Sequence, residues 1–299
     1  MTNTQEFFRE KAVLITGASA GIGEEMAWQL SQMGAKLTLA ARRCPQLEKL
    51  SERIVASGKA RPLVVECDVT LDGDLERAVA ETLREFGKLD VAIANAGFGV
   101  VGPLRKLAVA DYRRQLETNV FGVLRTIYAA LPEIEKTKGN LVIVGSVSGW
   151  AASPGASPYT MSKFAVRALA SSIAPELRLA GVKVTLISPG FVTSELRQVD
   201  NEGKFHDGAK DPIPAWIVMK TDKAVRQILD AVARESARPL LRVMGKLLWR
   251  WSGLRLGYCE SRGERSPRGA ADTGNKRSRE TEQRCAGGFG LGGRSCGRD

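Results

Sequence analysis

Tyr159 and Lys163 stand four residues apart in a stretch, Ser157 to Leu179, that reads as a helix, so their side chains share one face. A phenol ionises near pH ~10 and is by itself a poor acid or base at neutrality. An ammonium held beside it favours the phenolate and draws the pKa towards the range of a working proton donor. The Tyr-x-x-x-Lys spacing is common by chance, and its company gives it weight. Ser146 follows a predicted apolar strand, Leu141 to Val144, and lies at that strand's carboxyl end, where its hydroxyl could hold a substrate oxygen. Asn119 falls inside a predicted long helix, Ala110 to Ile134, where asparagine has no propensity advantage. A buried amide there needs partners and could fix a water near Lys163.

A second group of residues fits a dinucleotide. Thr16-Gly17-Ala18-Ser19-Ala20-Gly21-Ile22-Gly23 follows the apolar run Ala12 to Thr16 and precedes a helical pattern from Ile22 to Met33. A glycine-rich turn between strand and helix lets backbone amides approach a diphosphate, which then faces the positive end of the helix. Gly17, Ser19, Gly21, Ile22 and Gly23 are the candidate contacts. The next strand ends Ala40-Ala41-Arg42-Arg43, with no acid where an NAD enzyme often places one for the ribose 2′-hydroxyl. A carboxylate there would repel a 2′-phosphate, whereas a guanidinium grips it. The expectation is therefore NADPH rather than NADH, with Arg42 as the contact; the alternative is a solvated arginine pair. Asp68, at the end of the third strand, either accepts a hydrogen bond from the adenine amino group or caps a turn.

The elements that must position these residues alternate. Strands are expected at 12–16, 36–40, 63–66, 89–94, 141–144 and 182–188, and helices at 22–33, 45–57, 71–86, 110–134, 157–179 and 221–235. Strands that are apolar on both faces and alternate with helices predict a parallel sheet covered on both sides, an α/β, Rossmann-like doubly wound single domain. Residues 191–220 break the rhythm with Gly203, Gly208, Pro212 and Pro214, and read as a lid over the site or a passive surface loop. Leu240 to Val243 could form an edge strand. Residues 244–257 place Lys246 and Arg250 beside Trp249, Trp251 and several leucines. This segment reads either as a terminal helix docked on protein or as a weak membrane-surface contact.

The formal net charge of +11 is unevenly spread. Residues 238–299 hold 14 Lys and Arg against 6 acids, an excess of 8, and the remaining chain carries only +3. The body is nearly balanced, and nucleic acid is not an expected partner. Residues 258–299 hold nine glycines and only Tyr258, Phe289 and Leu291 as large apolar residues, a composition expected to be disordered. This segment also resembles the product of a reading-frame change. The five cysteines (44, 67, 259, 285 and 296) and the single histidine, His206, supply no metal-ligand spacing and no Ser-His-Asp triad. No secretory leader or membrane span is read, which makes a cytoplasmic protein the expectation.

Taken in order, TGASAGIG (16–23), Asp68-Val69, Asn95-Ala96-Gly97, Asn119, Gly145-Ser-Val-Ser-Gly149, Tyr159-Thr-Met-Ser-Lys163, Pro189-Gly190 and Thr193 resemble the short-chain dehydrogenase/reductase family over residues 9–245. The resemblance implies a tetrad of Asn119, Ser146, Tyr159 and Lys163. In it Tyr159 donates the proton in reduction, Ser146 orients the carbonyl, Lys163 binds ribose hydroxyls and tunes Tyr159, and Asn119 completes a proton relay. It also implies that Val69, Asn95, Gly97, Pro189 and Gly190 line the cofactor site and that Thr193 touches the nicotinamide carboxamide. Family members often form dimers or tetramers through the two long helices. Ala94 stands where the family often has asparagine.

Phe98, Val100, Trp150, Ala151, Phe191 and Trp216 are expected around the reacting centre, with no cluster of cations for a phosphate or coenzyme A group. The expected substrate is an apolar ketone, aldehyde or secondary alcohol. Two alternatives stay open: a 3-oxoacyl thioester reductase, and a nucleotide-sensing or nucleic-acid-binding scaffold that uses the fold without the chemistry.

Overall fold

Every residue of β1 (Ala12–Thr16) is buried, as is every residue of β4 (Val91–Ala94) and β5 (Asn140–Val144). Strands of this kind need cover on both faces. The computed structural model describes residues 3–193, 214 and 216–234 and supplies that cover. With β2 (Lys36–Ala41), β3 (Leu63–Glu66) and β6 (Lys183–Ile187), these strands form one parallel sheet in the order β3-β2-β1-β4-β5-β6.

The helices are α1 (Asn3–Phe8), α2 (Gly21–Gln32), α3 (Cys44–Ala56), α4 (Asp74–Phe86), α5 (Val109–Leu116), α6 (Gly122–Thr137), α7 (Ser157–Leu179) and α8 (Thr221–Ala233). Because side chains alternate along a strand, Val13 and Ile15 join one apolar cluster with Met26, Leu30, Leu47 and Ile228, from α2, α3 and α8. Leu14, between them, joins the other with Leu75, Val123, Ile134 and Val166, from α4, α6 and α7. The doubly wound α/β sheet expected from the sequence is the one observed.

Two differences have local causes. The helix expected from Leu71 begins at Asp74, because Gly73 takes a left-handed conformation (φ +87°) that a continuing helix excludes. The helix expected from Ala110 to Ile134 is not uniform. It runs as α5, then a π-helical turn at Glu117–Phe121, then α6. An extra helix, α1, buries Phe8 completely, and Thr4 Oγ1 donates to Asp230 Oδ1 of α8 at 2.6 Å.

All described residues belong to a compact unit, Met1–Gly253. Most of the expected lid, the expected strand at 240–243, the 244–257 segment and the 258–299 tail lie outside the described residues. Among the described residues no helix is long and apolar enough to cross a membrane.

Candidate active site

Strand order reverses between β1 and β4, and the loops leaving the carboxyl ends of the two strands part there. An open parallel sheet takes its ligand at such a point. A cavity of about 590 Å³ occupies it, within the ~300–1,000 Å³ usual for ligand pockets. Gly17, Ser19, Gly21, Ile22, Gly23, Arg42, Asp68, Val69, Asn95, Gly97, Ser146, Tyr159, Lys163, Pro189 and Gly190 all line it.

The glycine-rich turn is built by close packing. Gly17 is left-handed (φ +66°), and a Cβ on it would lie 2.7 Å from Ala96 Cα. On Gly23 a Cβ would lie 2.5 Å from Asn95 Nδ2 and closer still to the Gly17 carbonyl. Asn95 ties the two loops together, its Nδ2 donating to the carbonyls of Thr16 (3.0 Å) and Gly17 (3.1 Å). Thr16 completes the joint: its Oγ1 accepts from the amides of Asn95 (3.1 Å) and Ala96 (3.2 Å). No side chain caps the N-terminus of α2, where Ala20 stands, so its first amides are open to an anion. This arrangement fits a dinucleotide diphosphate.

At the far end of the cavity the two arginines divide. Arg42 Nη1 lies 3.7 Å from Asp68 Oδ2, with the Arg42 side chain 69% exposed. Arg43 reaches back to the glycine-rich turn, Nε donating to Ser19 Oγ at 3.2 Å and Nη2 to the Ser19 carbonyl at 3.4 Å. Both line the cavity, so Arg43 joins Arg42 as a candidate contact. Asp68 also caps its own turn, Oδ1 accepting from the Thr70 amide (2.9 Å) and hydroxyl (2.7 Å).

The reacting side is drier. Lys163 is buried, and burial alone pushes its ammonium down to about 8. It remains mostly charged at neutral pH, donates to the Val144 carbonyl at 2.9 Å, and lies 5.8 Å from the centroid of the Tyr159 ring. Tyr159 is half-buried, and a Cβ on Gly99 would stand 3.6 Å from its Cδ2. Ser146 is buried at the carboxyl end of β5, and its Oγ accepts from the Ser148 amide at 3.1 Å.

Asn119 does not line the cavity. It sits completely buried in the π-helical turn and fastens the loop after β4. Its Oδ1 accepts from the Phe98 amide at 3.1 Å, and its Nδ2 donates to the Phe98 carbonyl (3.0 Å) and to Ser162 Oγ (3.1 Å). Both amide hydrogens are thus committed to protein. Gln115, four residues earlier and equally buried, holds the same loop, donating to the Phe98 carbonyl (2.8 Å) and accepting from the Val100 amide (2.6 Å). Its spacing from Asn119 was a readable signal, but a glutamine four residues before an asparagine names no loop for the pair to hold.

Thr193 also lies off the cavity wall, its amide donating to the Met219 carbonyl at 3.0 Å. Of the expected pocket residues, Phe98 lines the cavity. Val100 is completely buried, Trp150 is occupied by Arg167 and Ser188, and Trp216 stands 74% exposed.

Residues 11–204 match the family model for short chain dehydrogenases. The chain is 33% identical over 234 residues to 11-beta-hydroxysteroid dehydrogenase A of Sesamum indicum, covering 78% of this chain and 62% of that one. It is 35% identical over 244 residues to Dehydrogenase/reductase SDR family member 7B of Mus musculus, covering 80% of this chain and 75% of that one. Among solved structures, it resembles an alcohol dehydrogenase from the archaeon Thermococcus sibiricus complexed with 5-hydroxy-NADP. That match has a TM-score of 0.65 and 28% identity, over 74% of this chain and 89% of that one. A short-chain dehydrogenase/reductase of unknown function from Caenorhabditis elegans, solved with cofactor, gives a TM-score of 0.70 at 26% identity over 79% and 92%.

Proposed function

The chain belongs to the short-chain dehydrogenase/reductase family, and from that premise we propose that it reduces an apolar ketone or aldehyde with NADPH, or oxidises the matching alcohol. One observation carries the reading. Ser146, Tyr159 and Lys163 line the same cavity as the glycine-rich turn and two arginines. A reduced nicotinamide, when bound, supplies the hydride to the carbonyl carbon. Tyr159 gives its phenolic proton to the carbonyl oxygen as charge develops there, and Ser146 holds that oxygen with its hydroxyl. Lys163 keeps a positive charge beside the ring, which favours the phenolate left behind. Its remaining donors serve the ribose hydroxyls. Asn119 works through the loop that it fastens, keeping Gly97 to Gly99 against the site.

Support for NADPH comes from Arg42 and Arg43 on the cavity wall and from the end of the second strand, Ala40-Ala41-Arg42-Arg43, which carries no acid. The relative from sesame is named for a hydroxysteroid, a bulky apolar alcohol, which agrees with the apolar Phe98 and Val192 in the wall. The test is turnover of a panel of apolar ketones and aldehydes, with a 3-oxoacyl thioester beside them, using NADPH and NADH in parallel. NADPH-favoured turnover is expected. Tyr159→Phe should lower kcat by ~100-fold or more with NADPH affinity nearly kept; a loss smaller than about tenfold would overturn the assignment of Tyr159 as proton donor.

The proposal extends to organisation. Residues 1–257 form the cofactor-binding domain, 191–220 its lid, and 258–299 an appendage whose removal should leave NADPH affinity within about threefold, read by fluorescence titration. The chain acts as a homodimer or homotetramer through the helices spanning 109–137 and 157–179. The compartment we infer is the cytoplasm, in keeping with Cys44 and Cys67 as free thiols.

A further inference from the structure

The turn that carries Ser146 is held from behind by two side chains that the chemistry above does not use. It leaves β5, enters the 3₁₀ turn Val147–Gly149, and packs so closely on α7 that a Cβ on Gly149 would lie 2.6 Å from the Lys163 carbonyl oxygen. Arg167 stands one helical turn beyond Lys163. Its Nη1 donates to the Gly149 carbonyl at 3.0 Å, and its guanidinium lies over the Trp150 ring, with Cζ 4.0 Å from the ring centroid. Trp150 Nε1 in turn donates to Ser188 Oγ at 3.1 Å, just before Pro189 and Gly190. The same two stretches of backbone also meet directly, the Gly145 amide donating to the Ile187 carbonyl at 2.7 Å and the Val147 amide to the Pro189 carbonyl at 3.0 Å.

One guanidinium–indole pair therefore joins the three segments that bear Ser146, Tyr159 with Lys163, and Pro189-Gly190. Arginine suits this place because its planar fork can hydrogen-bond along its edge while its face stacks on an aromatic ring; an ammonium cannot do both. Reactions between groups held by separate segments are sensitive to their spacing, and a misplacement of ~1 Å can cost ~100-fold in rate.

We propose that Arg167, acting through Trp150, is a positioning residue for the carbonyl–alcohol reaction: it fixes the Ser146 hydroxyl relative to Tyr159 and Lys163. The inference rests on the proposed function for the reaction it serves, whereas the clamp itself can be tested without turnover.

The experiment compares the full-length wild type with Arg167→Ala and Arg167→Lys, measuring kcat, KM, NADPH affinity and amide hydrogen exchange. Arg167→Ala is expected to lower kcat ~10- to 100-fold, with NADPH affinity and substrate KM within about threefold of the wild type. Millimolar guanidinium should restore part of that loss, and Arg167→Lys, which keeps the charge without the fork or the flat face, should remain impaired. Exchange over 146–150 should quicken about tenfold while β1 is unchanged. A kcat within threefold of the wild type overturns the proposal, as does unchanged exchange over 146–150. So does a loss of kcat that guanidinium leaves untouched and that follows a fall in Tm.

If the wild type turns over none of the panel, the proposed function fails, and the exchange result alone decides whether the clamp exists. Should Arg167→Ala not fold, Trp150→Phe carries the test. It keeps an aromatic face, deletes the donor to Ser188 and trims the ring under Arg167, with an expected kcat loss of ~3- to 10-fold at unchanged NADPH affinity.

Discussion

Lys163 is an ammonium taken out of water, with the Val144 carbonyl as its hydrogen-bond partner. Its fall from the ordinary 10.5 to about 8 is a statement about stability as well as reactivity. Below pH ~8 the group is charged in both folded and unfolded chains, and the whole burial cost, about 3 kcal/mol, weighs on the fold. Between pH ~8 and ~10.5 the folded chain has released the proton and the unfolded chain has not, so stability rises with pH across that window. Lys163→Met removes the charge and keeps the volume. It should abolish turnover yet make the cofactor-free protein about 2 kcal/mol more stable at pH 7, after about 1 kcal/mol is lost with the bond to Val144. Urea unfolding at pH 7 and pH 10 checks both the gain and its expected shrinkage at the higher pH.

Arg42→Asp belongs to this scale too, and should weaken NADPH by tenfold or more while sparing NADH, measured as the ratio of their KM values. Tyr159 and Lys163 were legible because four-residue spacing on a helix forces them together. The partners of Asn119 were not legible, because a buried amide in a sequence does not say which loop it will hold.

The π-helical turn at Glu117–Phe121 is the element on which that hold depends. It adds one residue to the helix locally and re-aims Asn119 without ending the helix, so the apolar rhythm on either side survives. The sequence therefore reads as one helix from Ala110 to Ile134, and nothing in its periodicity marks the break. Deleting Val120 should restore α-helical winding. The expected protein is folded, with Tm changed by only a few degrees, but Asn119 is turned off the Phe98 backbone and kcat is down tenfold or more; calorimetry and kinetics on the same sample test this. The glycine-rich turn was plainer. Gly17 and Gly23 were readable as places of close approach, although the sequence could not say that what comes close is Asn95 and Ala96 rather than the ligand alone.

At the scale of the molecule, strands buried on both faces dictate a sheet covered by helices, and that was readable from alternation alone. The face that two long helices leave outward was less so. Tyr128 on α6 stands 71% exposed and Met161 on α7 51% exposed, on the two helices through which we propose that the chain assembles. In the assembly we propose, Tyr128→Glu should shift the mass seen by light scattering from an oligomer to the monomer, with the fold kept by circular dichroism.

The cavity opens at the carboxyl edge of the sheet, and α5, the π-helical turn and α7 complete its wall. The loops at 101–106 and 152–155, which follow Gly99 and precede Tyr159 in the chain, are largely exposed, and the Gly102 amide meets the Gly155 carbonyl at 2.7 Å. Divergence can then run on two clocks. Under the proposed function, replacements in these exposed loops are free to change which carbonyl is preferred, while Gln115, Asn119 and Lys163 keep the working parts in register, so that a descendant with a new preference need not first survive a loss of stability.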